Sequence, residues 1–166
     1  MFFCRLNGRG IDIIVCMNNK IIASTLNVLV LCIVIFFTST FFVYQTELIG
    51  YIIIILAFVC LASLKLFKIK ISSVMPDVIF GVIDNGILAL MAVIGGEIAG
   101  VAGAIIGGVV GNAITDGIAG LFEGYWAENI SNDKRTIVGS AVGKMAGCLL
   151  GAGIVLVLAS FVGHSL

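Results

Sequence analysis

The sequence predicts an all-α, polytopic integral membrane protein with five transmembrane helices, the last three forming a glycine-zipper-packed C-terminal core. Three observations lead there. Of 166 residues, 61% are hydrophobic and only 11% charged, less than half the charged share of an ordinary soluble domain, which excludes a soluble globular fold. The charges stand between long uncharged stretches. Of the 21 glycines, 18 lie at or after Gly81, so the chain has two differently built parts. Nine Lys plus Arg balance nine Asp plus Glu, and without a basic excess nucleic-acid binding has no electrostatic footing.

Residues 1–20 read as a cytoplasmic N-terminal tail carrying Arg5, Arg9 and Lys20. The apolar stretch 11–17 is short, is broken by Asp12 and leads to no small-residue cleavage site, so it is not a signal peptide. Met17-Asn18-Asn19-Lys20 reads like a start site of its own, which makes residues 1–16 a candidate gene-model extension.

Residues 21–73 hold two apolar transmembrane helices and a basic loop. The uncharged runs 21–46 and 48–64 approach or exceed the ~20 residues that cross a bilayer. Ile, Leu, Val and Phe dominate them, with Thr38, Ser39, Thr40 and Ser63 as polar relief, so they read as lipid-facing cover. Residues 74–166 form the glycine-rich three-helix membrane domain. Pro76 sits where its first helix begins, and the segment from about residue 74 to 93 is apolar except for Asp77, Asp84 and Asn85. Residues 98–115 are uncharged, and 136–163 are interrupted only by Lys144.

Arg5, Arg9, Lys20, Lys65, Lys68, Lys70, Lys134 and Arg135 all fall in alternate loops, and the remaining loops carry only Glu47 and Glu97. Short loops rich in Lys and Arg stay cytoplasmic. This puts the N-terminus in the cytoplasm and the C-terminus outside, in what is read as the cell membrane.

Gly139, Gly143, Gly147 and Gly151 recur every four residues, as do Gly103, Gly107 and Gly111, while Gly96, Gly100, Ala104 and Gly108 form a second small stripe. Such stripes let helix backbones approach closely in lipid. They serve another helix of this chain, a second copy, or both, and two small faces on one helix lead us to expect a homodimer as well as internal packing.

The runs from Asp77 to Asp84 and from Asp116 to Glu123 share one spacing: acid, three residues, Gly, two residues, acid. Separations of four and seven align each set on one helical face. A turn centred on Gly95 and Gly96 sets Asp84 level with Gly107 and Gly108, and Asp77 level with residues 112–116. Asp84 then lies ~10 Å deeper than Asp77, inside the hydrocarbon, where a carboxylate is a functional candidate by default.

The candidate metal residues are Asp84, Asp77, Asn112, Asp116, Glu123 and Met91, with Asn85 beside Asp84. Oxygen ligands with one thioether suit a divalent cation such as Fe²⁺ or Mn²⁺ better than Cu⁺ or Zn²⁺. The competing reading pairs Asp84 with Lys144, at matching depth in the last span, as a buried ion pair that orders the bundle.

The run Asp77-Val-Ile-Phe-Gly81-Val-Ile-Asp84-Asn85-Gly86, followed by small residues and then Gly124-Tyr125-Trp126-Ala127, resembles the first helical hairpin of the vacuolar iron transporter family. The resemblance implies a dimeric five-span carrier exporting Fe²⁺ or Mn²⁺ from the cytoplasm, with Asp84 at the family's metal-path aspartate. It covers residues 77–127 of the 166. Two extra spans precede the hairpin, and residues 126–135 are too short for the family's metal-binding helical insert. Asn112 stands where the family has Glu, and Gly120 where it has Met.

An enzyme is not expected. The lone His164 lies near the C-terminus, no Ser/His/Asp or Cys/His set is assembled, and the glycines sit within spans rather than in a phosphate loop. Nor is a cofactor called for. The five cysteines, Cys4, Cys16, Cys32, Cys60 and Cys148, form no C-x-x-C pair and fall mostly in apolar runs, so they read as small buried hydrophobes. Two functions compete: a small transporter or channel for divalent cations, and a membrane scaffold or assembly subunit.

Overall fold

A computed structural model describes the backbone of residues 10–44, 46–129 and 136–162, and the side chains of 21–44, 48–118, 121 and 136–162. The chain is all-α. Helix α1 spans Gly10–Phe42, α2 Thr46–Ser63, α3 Met75–Asn129 and α4 Ile137–Val162, with two short 3₁₀ turns, Leu64–Phe67 and Ile71–Ser73, between α2 and α3. All four long helices are apolar and long enough to cross a membrane.

Helix α1 runs through residues 10–20 into its apolar part, Ile21–Phe42. The Thr25 and Thr40 hydroxyls donate to the carbonyls of Ile21 (2.9 Å) and Phe36 (2.7 Å). Bonding back to the preceding turn lets a hydroxyl sit on an apolar helix without an orphan donor. Much of α1 is exposed, including Phe36, Phe37 and Phe41. Helix α2 packs chiefly on α4, where Gly50 lies against Val157 and Gly153 lies against Ile54.

The basic loop is a compact connection. Lys68 adopts a left-handed φ of 54° and its N–H closes on the Lys65 carbonyl at 3.1 Å, ending the first 3₁₀ turn. Pro76 falls in the first turn of α3, where its missing N–H removes no helical bond. Leu64, Val74, Val78, Val138, Val142 and Ala146 join Cys60 and Leu31 in the main buried cluster. This cluster gathers the start of α3, the start of α4 and the end of α2 at one end of the bundle.

Helix α3 is not one straight rod. Ala99 (φ −140°, ψ 25°) and Gly100 (φ 58°, ψ −141°) leave helical geometry, and the chain folds back on itself. Gly95 meets Gly103, Gly107 meets the Met91 carbonyl, and Gly111 meets Leu88, so the arms 75–98 and 101–129 run antiparallel. The reversal differs from the turn expected at Gly95 and Gly96. Those two glycines stay helical, and Gly95 is used for backbone contact with the opposite arm. Gly100 takes the turn because a positive φ with ψ near −141° is open to glycine and closed to L side chains.

The four-residue glycine stripe of α4 packs inside the chain. Gly139 and Gly143 face Val74, Gly147 faces Val78 and Gly81, and Gly151 faces Val82 and Gly86. The first arm of α3 and α4 therefore run parallel in contact along four turns, with little more than backbone between them. The stripe Gly103, Gly107, Gly111 is likewise taken up within the α3 hairpin.

Candidate functional site

Moving the reversal from residues 95–96 to 99–100 shifts the hairpin register by about two turns. Asp84 faces Thr115, not Gly107 and Gly108, and the Thr115 hydroxyl, almost fully buried, donates to Asp84 Oδ1. The same hydroxyl lies 3.1 Å from the Gly111 carbonyl and 3.0 Å from that of Asn112. Asp77, correspondingly, stands level with residues beyond Asp116 rather than with 112–116. Sequence reasoning missed Thr115. Its signal was present, since it is the polar residue one position before Asp116, but the misplaced turn set it out of reach.

Asp84 is half-buried, and its second oxygen lies 3.4 Å from Nδ2 of Asn85. That same Nδ2 points at Cys148 Sγ on α4, at 2.7 Å. The close approach follows from the glycine contacts. With no side chain on Gly81, the backbone at Lys144, Gly147 and Cys148 rests directly on α3, which leaves Cys148 beside Asn85.

Seven residues earlier, Asp77 is 4% exposed, and Ser140 Oγ donates to its Oδ1 at 3.0 Å. Gly143 presses against the Asp77 side chain and the Lys144 carbonyl against Gly81. The Lys144 backbone is thus level with a point midway between the two carboxylates, about one turn from each. Its ammonium sits 5.3 Å from the centre of the Phe80 ring, a cation–π distance. The α3–α4 seam carries a file of polar groups in order: Asp77 with Ser140, Lys144, then Asp84 with Thr115, Asn85 and Cys148.

The other sequence candidates lie off this file. Asn112 Nδ2 donates to Asp116 Oδ2 at 2.8 Å, four residues on along the same arm, and Asp116 is exposed on the outside of the bundle. Met91 is half-buried two turns nearer the reversal, its carbonyl against Gly107. Glu123 falls in α3, but its side chain lies outside the described residues, as does His164. Among the described residues no group of three or more His, Cys, Asp or Glu side chains gathers as a metal cluster. What the seam holds is one carboxylate at each of two levels, with Lys144 between the levels and hydroxyl, amide and thiol groups beside the carboxylates.

No family model matches the chain, and no curated protein and no solved structure matches it either.

Proposed function

We propose that the chain is a small integral membrane protein that passes a divalent cation of the Fe²⁺ or Mn²⁺ kind along the α3–α4 seam, with Asp77 at the mouth and Asp84 within the hydrocarbon. In this reading both arms of α3 cross the bilayer, giving five spans, a cytoplasmic N-terminus and an external C-terminus. An arm of 24 residues is ~36 Å long, enough for a ~30 Å core. Asp84, nine residues in from Met75, then lies ~14 Å along the arm and close to the midplane. The resemblance to the vacuolar iron transporter hairpin points to the same aspartate.

The carrying observation is the polar file itself. A carboxylate within the hydrocarbon with a lysine about one turn away is costly unless it serves a path or a partner, and here Asp77, Lys144 and Asp84 line one seam whose backbones touch. Sparse ligation suits passage, because a conducting site must bind weakly enough to release. The outward-facing Asn112–Asp116 pair, one residue from Gly117 on an open surface, supports a second copy packing on that arm. Liposomes holding the purified chain are expected to take up Mn²⁺ or Fe²⁺ faster than empty ones. Equal rates overturn the proposal.

A scaffold reading is favoured by a different observation: both carboxylates already accept a hydroxyl hydrogen bond from a neighbouring segment, as structural pins do. In that reading Asp84 and Lys144 matter only to stability. Asp84→Asn and Lys144→Met each destabilise the bundle, and the double change largely restores it, a non-additivity read in a double-mutant cycle. Additive losses contradict the pairing.

A further inference from the structure

The turn between α2 and α3 holds positive charge on a fixed backbone at one end of the bundle. Its side chains divide by burial. Leu64 is buried and Phe67 and Ile69 pack against the main apolar cluster, whereas Lys65, Leu66, Lys68 and Lys70 are exposed. The Lys68 N–H closes on the Lys65 carbonyl and the Ile69 N–H on the Leu64 carbonyl, both at 3.1 Å. The three lysines thus stand on a segment held by hydrogen bonds and two anchored side chains. Lys68 has a left-handed φ of 54°, a geometry that glycine or asparagine takes at lower cost. A lysine kept at that cost points to a use for its side chain.

Residues 48–76 contain no acid, and the next one along the chain, Asp77, is 4% exposed and accepts a hydrogen bond from Ser140. The positive charge of the turn is therefore not offset within its own segment. The apolar part of α2 ends at Phe67 and that of α3 begins at Met75, which sets the turn at headgroup level when these helices cross a bilayer. From there Met75, Ile79 and Ile83 run along the first arm of α3 as exposed apolar side chains at four-residue intervals, on one helical face. Charged heads at the surface and an apolar strip leading into the hydrocarbon match the two ends of a phospholipid.

We infer that this turn docks an anionic phospholipid, with Lys65, Lys68 and Lys70 meeting the headgroup phosphate and Met75, Ile79 and Ile83 meeting an acyl chain. The inference rests on the membrane placement of the helices and is independent of the cation path. A zwitterionic headgroup carries its own ammonium and gains little from lysines, whereas an anionic one keeps its net charge. Each lysine near an anionic surface strengthens binding by about five-fold, from ~1 kcal/mol at 1.4 kcal/mol per decade, so the three together give a preference of about 100-fold.

Native mass spectrometry of the full-length chain, released from neutral detergent micelles that contain phosphatidylglycerol or phosphatidylcholine, reads the preference directly. Phosphatidylglycerol is expected to stay bound at concentrations about 100-fold below those that phosphatidylcholine needs. The triple variant Lys65→Gln, Lys68→Gln, Lys70→Gln is expected to lose the preference, and Lys65→Arg, Lys68→Arg, Lys70→Arg to keep it. Equal retention of the two lipids by the wild type, or an undiminished preference in the glutamine variant, overturns the inference. A second measurement needs no variant. Phosphatidylglycerol, but neither phosphatidylcholine nor inorganic phosphate, is expected to slow acetylation of Lys65, Lys68 and Lys70, read by peptide mass spectrometry. Unprotected lysines overturn the inference, and so does equal protection by inorganic phosphate, which would assign the turn to a free anion. Liposomes that take up no Mn²⁺ remove the transport and leave the lipid dock standing, since neither assay here involves movement of a cation.

Discussion

Replacing Gly81 with alanine tests the contact on which the seam is built. A Cβ at this position stands 2.6 Å from the Lys144 carbonyl oxygen, 2.8 Å from the Cys148 nitrogen and 3.0 Å from the Gly147 carbonyl carbon. All three are backbone atoms of α4, so no side chain can swing aside. Ordinary contact begins at 3.4 Å, and the two helices must separate by most of an ångström to accommodate the methyl group. Overpacking of this kind costs about 1–3 kcal/mol. Separation also draws Cys148 away from Asn85. Gly117 is the control, since a Cβ there meets nothing within 4 Å; alanine at this helical position is expected to gain about 0.5–1 kcal/mol through helix propensity. Unfolding of both variants in detergent micelles, by heat or by titration with a denaturing detergent, gives the comparison. If Gly81→Ala unfolds no earlier than Gly117→Ala, the close-packed seam is refuted.

Gly100→Ala meets open space but a forbidden backbone, so it is expected to cost about 1–3 kcal/mol through strain alone; unchanged thermal stability would place the reversal elsewhere. Thr115→Val keeps the shape of the side chain and removes the donor to Asp84, and a loss of about 1–3 kcal/mol is expected in the same unfolding assay. Thr115→Ser, which keeps the hydroxyl, should lose less. In the double-mutant cycle of Asp84→Asn with Lys144→Met, the cation-path reading expects nearly additive losses of stability, and strong rescue in the double variant favours the scaffold.

The apolar architecture was legible in the sequence because lipid imposes one rule on a long uncharged run, namely that it satisfy its backbone bonds as a helix. The stretches read at 21–46, 48–64 and 136–163 reappear in α1, α2 and α4. The four-residue spacing of Gly139 to Gly151 marked a packing face, and the structure supplies its partner: Val74, Val78, Gly81, Val82 and Gly86 on the first arm of α3.

Register was not legible. Gly95 and Gly96 look like a turn, since adjacent glycines punctuate soluble chains, yet in a tightly packed hairpin a glycine is as useful for contact as for reversal. The backbone sign that separates the two uses, the positive φ of Gly100, leaves no trace in residue identity. That error of four residues hid Thr115 and put Asn112 and Asp116 level with Asp77, where the structure has them bonded to each other on the outer face. Cys148 was legible as a small apolar residue but not as a neighbour of Asn85, because their contact joins segments 63 residues apart.

The central claim is that the Asp84 carboxylate carries a divalent cation through the membrane. It is tested most directly by Mn²⁺ or Fe²⁺ influx into liposomes reconstituted with either wild-type chain or Asp84→Asn, each first shown to be folded by its elution profile and helical content. The account expects influx in the wild type and its loss in Asp84→Asn, because the asparagine keeps the size and an acceptor for Thr115 while removing the charge. Equal influx through a folded Asp84→Asn chain would contradict it.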